Sequence, residues 1–231
     1  MTITYYIMAS AKKIVYLALA DSVFSSAFVI SLLGTVNKMI ADNKYHLVIV
    51  PGSSRHPMIA HYNTLGFDPK HGINQKPFGG DEFDYWINVS ATSIFTTDQF
   101  IKLIESLDCH PVVAGVCRME NLESCSFIDS NAGFEKISDF ESWKRVNPDL
   151  KYKSVKHSEL KFFGVRREVL EAMKYPHFEC DAVFSPGTTD GVVMRDLLSH
   201  DMAFCRNIKM AGYEIMVQTD LLVGNEMKII V

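Results

Sequence analysis

Hydrophobic positions along this chain alternate between short unbroken runs and stretches with helical spacing. Lys13 to Ala20 (KIVYLALA) is an apolar run of strand length; a polar turn follows, and Ser25 to Asp42 then reads as a crossover helix. Tyr45 to Val50 repeats the strand pattern and stops at Pro51-Gly52, and His56 to Gly66 reads as a short helix ended by its glycine. Phe67 to Glu82, with two prolines and three glycines, predicts a loop, after which Phe83 to Ala91 returns to a strand rich in aromatic and apolar residues. The next helix has the strongest local signal: Thr96 and Gln99 form a capping box, and Phe100, Leu103, Ile104 and Leu107 recur at helical spacing. Pro111 to Cys117 is a further short strand.

From Arg118 to Lys156 the periodicity weakens and polar residues dominate, which reads as an inserted region around Phe140 to Trp143, either a lid or an ordinary surface excursion. Phe162 to Val165 resumes as a strand, Arg167 to Lys174 as a short helix, and Tyr175 to Leu198 as a loop containing Ser185-Pro186-Gly187. A final helix runs from an N-cap at Ser199 to a glycine stop at Gly212, followed by a short strand and a polar terminus. Strands alternating with helices predict an α/β fold: a mostly parallel central sheet flanked by helices.

Length and composition narrow the class. At 231 residues the chain fits one large domain, and its net charge of -4 gives no electrostatic footprint for nucleic acid. Five widely spaced cysteines without a CxxC pair suggest neither a disulfide framework nor a zinc site, which fits a reducing, cytoplasmic setting. Met1 to Ser10 is apolar but short and lacks a basic flank, so neither a signal peptide nor a membrane span is expected. Asn88-Val89-Ser90 matches a glycosylation acceptor, yet falls in a strand expected to be buried.

Ligands of open parallel sheets bind beyond the carboxyl ends of the strands. That rule selects Asp21 and Ser22, Ser53 and Ser54, the stretch from Asn88 to Ser93, and Arg118. Asp201 stands at the second position of its helix, where free backbone N–H groups and the dipole favour the ionised carboxylate. Such a carboxylate either stabilises the helix end or accepts a proton from an attacking hydroxyl. Eight histidines are scattered without HxxxH or HExxH spacing; His61 and His157 are candidates for catalysis on residue type alone.

The order of these segments resembles the GT-A family of nucleotide-sugar-dependent glycosyltransferases over roughly 200 residues. The resemblance is carried by the opening strand and long helix, by Gly52-Ser53-Ser54 through Ala60 to Asn63, and by Phe83 to Ser90 at the place of the family's diacid strand. Val112 to Gly115, the turn Phe163-Gly164-Val165-Arg166-Arg167-Glu168, and Ser199 to Asn225 complete it. It implies a single GT-A, nucleotide-diphospho-sugar transferase-like domain, with a nucleotide-binding half at about 13–117, an insertion or lid at 118–160, and an acceptor and catalytic half at 161–231. It further implies transfer of a sugar from a nucleotide-sugar donor to a glycan or other hydroxyl acceptor, with Asp201 as general base and inversion at the anomeric carbon. Donor-binding positions implied are Ala20, Asp21, Ser53, Asn63, Asn88, Val89, Ser90 and Arg118.

This chain departs from the family where the metal would sit. Two acids spaced i and i+2 at a strand's end can share a divalent cation that neutralises a departing diphosphate. Asn88 and Ser90 stand there instead, His200 replaces the acid before Asp201, and Asn225 replaces a ligand histidine. Manganese or magnesium is implied by the resemblance, yet its ligand positions are replaced and the motif is degenerate. Asp81, Glu82 and Asp84 enter the same strand from its amino end and read as a solvated turn. A metal-free site needs cations for the phosphates; Arg118 is the best placed, with Lys156, Lys161 and Arg166 behind it. The alternative expectation is a degenerate GT-A-like module that binds a sugar nucleotide, a glycan or a partner without catalysis.

Overall fold

The computed structural model describes residues 12–21, 23–119, 121–129, 133–178, 182–185, 194–197 and 199–226. The sequence-based expectations for Met1 to Ser10, Ser22, Cys180 and Pro186-Gly187 lie outside the described residues.

In chain order the strands are β1 (Lys13–Leu19), β2 (Tyr45–Pro51), β3 (Tyr85–Val89), β4 (Ser93–Ile94), β5 (Val112–Cys117), β6 (Phe127–Ile128), β7 (Tyr152–Val155), β8 (His157–Ser158), β9 (Phe162–Arg166), β10 (Ala182–Ser185), β11 (Met194–Leu197) and β12 (Ile215–Asn225). The helices are α1 (Ser26–Asp42), α2 (Pro57–Thr64), α3 (Thr97–Cys109), α4 (Ile137–Val146), α5 (Arg167–Ala172) and α6 (His200–Met210). The main sheet has the order β2-β1-β3-β9-β5-β12-β4, with β7 also paired to β12. β2, β1 and β3 are parallel to one another, as are β5 and β12.

β9 sits between β3 and β5 and runs antiparallel to both. The expected parallel pattern is thus interrupted at the centre, with a consequence for the site. β9 begins beside Val89, at the carboxyl end of β3, and ends beside Tyr85. The segment just before β9 therefore reaches the end of the sheet where ligands of parallel strands collect.

Side chains of the strands alternate between two cores, as the pleat requires. Val15, Leu17, Ile87, Val89, Val113 and Phe162 pack with Phe28 of α1 and Phe100, Leu103 and Leu107 of α3 on one face. Ala18, Trp86, Val112, Ala114, Phe163 and Val165 pack with Tyr62 of α2, Phe140 of α4, Leu170 of α5 and Phe204 and Ile208 of α6 on the other. Gly164 lets α3 lie close to the sheet, because a Cβ there would come within 2.8 Å of the Leu107 side chain.

The 118–160 stretch, expected as an insertion or lid, is woven into the fold. β7 pairs antiparallel with β12, Phe140 is buried, and Lys144 pairs with Asp220 at 2.6 Å. The expected loop from Tyr175 to Leu198 contains an antiparallel pair, β10 with β11. β12 is longer than a short closing strand and bulges between Val217 and Leu222. There the Thr219 hydroxyl donates to the carbonyls of Leu150 and Lys151, fastening the bulge to the chain before β7. The capping box of α3 and the Ser199 cap of α6 form as the sequence predicts. No helix among the described residues is long and apolar enough to cross a membrane.

Candidate functional site

A pocket of about 200 Å³ opens at the carboxyl ends of β1 and β3, on the face covered by α2 and α6. Its walls are Ala20 and Asp21 after β1, Pro57 and His61 of α2, Asn88 and Ser90 of β3, Glu159 to Lys161 before β9, and His200 and Asp201 of α6.

Strand alternation explains the β3 contribution. Asn88 and Ser90 face the pocket, whereas Val89 is buried in the opposite core with Leu19 and Phe95. Asn88 donates its amide nitrogen to the Leu160 carbonyl, and its Oδ1 is buried without a hydrogen-bond partner among the described residues. The Ser90 backbone N–H donates to the Lys161 carbonyl at 2.8 Å. The Asp21 carboxylate accepts the Ala91 N–H at 2.5 Å, locking the end of β1 to the end of β3.

α6 presents its first turn to the pocket. The Ser199 hydroxyl accepts the Met202 N–H, while Ala203, Phe204, Cys205 and Ile208 bury the opposite side. The N–H of Ser158 contacts the Cys205 sulfur at 3.4 Å, and the Leu160 N–H donates to Asp201 Oδ2 at 3.3 Å. The strand-entry segment and the helix thereby hold one another in place. His200 Nε2 lies 2.9 Å from Asp201 Oδ1, which is otherwise without a partner among the described residues. Burial works against the charge on Asp201, but His200, His61 and the Leu160 N–H outweigh it and hold the carboxyl below its ordinary pKa. Burial likewise disfavours a protonated His200, and the adjoining carboxylate reverses that and raises its pKa.

His61 completes the wall. Its Nδ1 is 2.9 Å from the Pro57 carbonyl one turn earlier, its ring centroid stands 4.9 Å from that of His200, and burial lowers its pKa. α2 is drawn onto the sheet by Gly52, whose N–H donates to Leu19 and whose carbonyl accepts the Asn63 amide at 2.6 Å. A Cβ at Gly52 would stand 2.7 Å from the Ala60 carbonyl and 3.0 Å from Ala20 Cα.

The residues singled out from the sequence thus separate into two groups. Ala20, Asp21, Asn88, Ser90 and Asp201 come together. Ser53 is exposed in a left-handed conformation (φ 51°) and Asn63 clamps Gly52, while Val89 faces the other core; none of these side chains lines the pocket. Arg118 lies with Asn225 in a different cavity, of about 500 Å³, at the ends of β5 and β12. The expected phosphate cation is therefore displaced because β9 separates β5 from β3. Arg166 is at the opposite end of the sheet, donating to the Asp108 carbonyl. Lys161 is in the pocket, paired with Glu159 at 3.0 Å. Asp84 is also at the far end, accepting the Ile14 N–H, and Glu82 pairs with Arg167.

Manganese or magnesium does not fit the positions the resemblance supplies. Asn88 and Ser90 offer only neutral oxygens where a pair of carboxylates is usual, the Ser90 hydroxyl stands 3.3 Å from that of Thr92, and Asn225 belongs to the other cavity. These three side chains form no joint oxygen donor set of the kind hard cations require. Glu159, Leu160 and Pro57 were not anticipated, and His61 was a candidate on residue type alone, beside His157. The pairing of His61 with the His200-Asp201 turn spans some 140 positions of sequence, so no local spacing announces it.

No protein-family model matches the chain, and no curated protein matches it. Among solved structures the chain shares its fold with the protein A197 from STIV: 14% identity, 95% of this chain and 96% of the other covered, TM-score 0.51. The class so defined is a mixed α/β unit whose central sheet carries helices on both faces. A fainter likeness is to 4-diphosphocytidyl-2C-methyl-D-erythritol synthase from Anaerococcus prevotii, at 14% identity, 94% and 92% coverage and a TM-score of 0.43.

Proposed function

We propose that the pocket takes the diphosphate-sugar part of a nucleotide-sugar donor and that the protein transfers the sugar to a hydroxyl acceptor. The observation that carries this reading is Asp201: its Oδ2 is held by a backbone N–H, its Oδ1 is buried at the pocket, and its surroundings favour the ionised form. In a direct displacement the acceptor oxygen bonds to the anomeric carbon as the bond to the diphosphate breaks, and the hydroxyl proton passes to Asp201. The configuration at that carbon inverts. Ala20, Asp21, Asn88 and Ser90 form the donor side, and Lys161 is the cation nearest to a departing phosphate.

The second reading is a binding module without catalysis. It is favoured by the pairing of Lys161 with Glu159, which competes with phosphate, and by Asn88 and Ser90 where two acids are usual. A thermal-shift series with several nucleotide sugars separates the two, since a ligand selective for the folded state raises its stability. The transferase reading expects stabilisation by a nucleotide sugar together with slow donor hydrolysis. Stabilisation without hydrolysis or transfer leaves only the module, and no stabilisation by any donor contradicts both.

A further inference from the structure

The pocket contains a second donor set, of which the resemblance supplies only the His200 position as part of a metal site. His61, His200 and Asp201 each offer one ligand atom, and the three atoms lie within 4.8 Å of one another. His61 is 7% exposed, and its Nε2 has no hydrogen-bond partner among the described residues. Its Nδ1 faces the Pro57 carbonyl at 2.9 Å, an acceptor that requires the proton to sit on Nδ1 and leaves the Nε2 lone pair free. A backbone carbonyl behind the ring in this way is the usual device that orients a ligating imidazole. Asp201 repeats the arrangement: Oδ2 is fixed by the Leu160 N–H, and Oδ1 is left beside His200 Nε2 at 2.9 Å.

We propose that His61, His200 and Asp201 bind a divalent transition cation of the zinc class. Two imidazoles and one carboxylate are a borderline donor set that suits zinc better than magnesium or calcium, which take all-oxygen shells. Ligands of one tetrahedral zinc stand about 3.4 Å apart, against 2.9 Å between His200 Nε2 and Asp201 Oδ1 and at most 4.8 Å within the whole set. Three protein ligands leave at least one position open toward Asn88, Ser90 and Lys161. An anionic oxygen of a bound ligand, such as a phosphate, fits that position. The inference goes beyond the transferase reading and does not depend on it: it assigns Asp201 Oδ1 to a cation instead of leaving it solely to a proton.

The test uses the full chain, stripped with a chelator and titrated with zinc chloride alone by calorimetry, and with cobalt chloride by visible absorption. Neither titration includes a donor or an acceptor, so its failure leaves the transferase reading standing, and failure of turnover leaves the cation site standing. One-to-one binding is expected, weakened at least tenfold in both His61→Gln and His200→Asn, unchanged in the exposed-site control His46→Gln, with cobalt bands that disappear in the same two variants. The His200 variant keeps the Ser199 cap and keeps the test decisive should the buried His61 variant fold poorly. Absence of saturable binding, or equal affinity in wild type and the folded His200 variant, overturns the proposal.

Discussion

Asp201 and Asp108 are both carboxylates held in their ionised form, and their surroundings separate their roles. Asp201 has one oxygen tied to backbone and one turned to a pocket with two imidazoles, an arrangement suited to exchanging a proton or holding a cation. Asp108 is at the other end of the sheet, where Lys13 and Tyr85 both donate to it. Its partial burial opposes ionisation, and those two donors prevail and lower its pKa; the Tyr85 hydroxyl, partly buried beside this carboxylate, is pushed up to about 12. A depressed carboxylate contributes stability that is complete above its unfolded pKa of about 3.9 and is lost as pH falls through the lower folded value. With side chains near half exposure, the contribution is that of a surface pair, about 0.2–1 kcal/mol. Urea midpoints should therefore fall more steeply below about pH 4 for wild type than for Asp108→Asn. Parallel curves for the two proteins would contradict the assignment.

Five segments converge on the pocket, and the seating of α2 among them depends on close backbone approach. α2 reaches the end of β1 because Gly52 leaves room for the Ala60 carbonyl and because Asn63 reaches back to Gly52. Gly52→Ala should force α2 outward, lowering stability by about 1–3 kcal/mol as overpacking does, and should move His61 away from His200. A melting temperature and a histidine ring proton spectrum read the two effects; a variant as stable as wild type with unshifted His61 and His200 signals would show that the contact is not tight. The strand-helix alternation, the α3 capping box and the α6 cap were legible in the sequence because each rests on local spacing. The direction of β9 was not, since a short, mostly apolar strand reads the same both ways and its sense follows from its entry at the carboxyl end of β3, where the Ser90 N–H donates to the Lys161 carbonyl. That single reversal brings Glu159, Leu160 and Lys161 into the pocket and moves β5, with Arg118, out of it.

For the whole molecule, the sheet with helices on both faces was readable from alternating patterns, and Asp21, Asn88 and Ser90 of the site followed from the rule about strand ends. The remainder depended on tertiary pairings: His61 against His200, Leu160 against Asp201, and Asn225 grouped with Arg118 instead of Asn88. The central claim is that Asp201 gives this pocket its chemistry, and release of nucleoside diphosphate from a stabilising nucleotide sugar, compared between wild type and Asp201→Asn, tests it most directly. The variant keeps the volume of the side chain and the Ser199 cap, so the fold and donor-induced thermal shift should persist while release falls by at least about 10²-fold, the scale of a lost general base. Release at the wild-type rate by a folded Asp201→Asn protein would contradict the account.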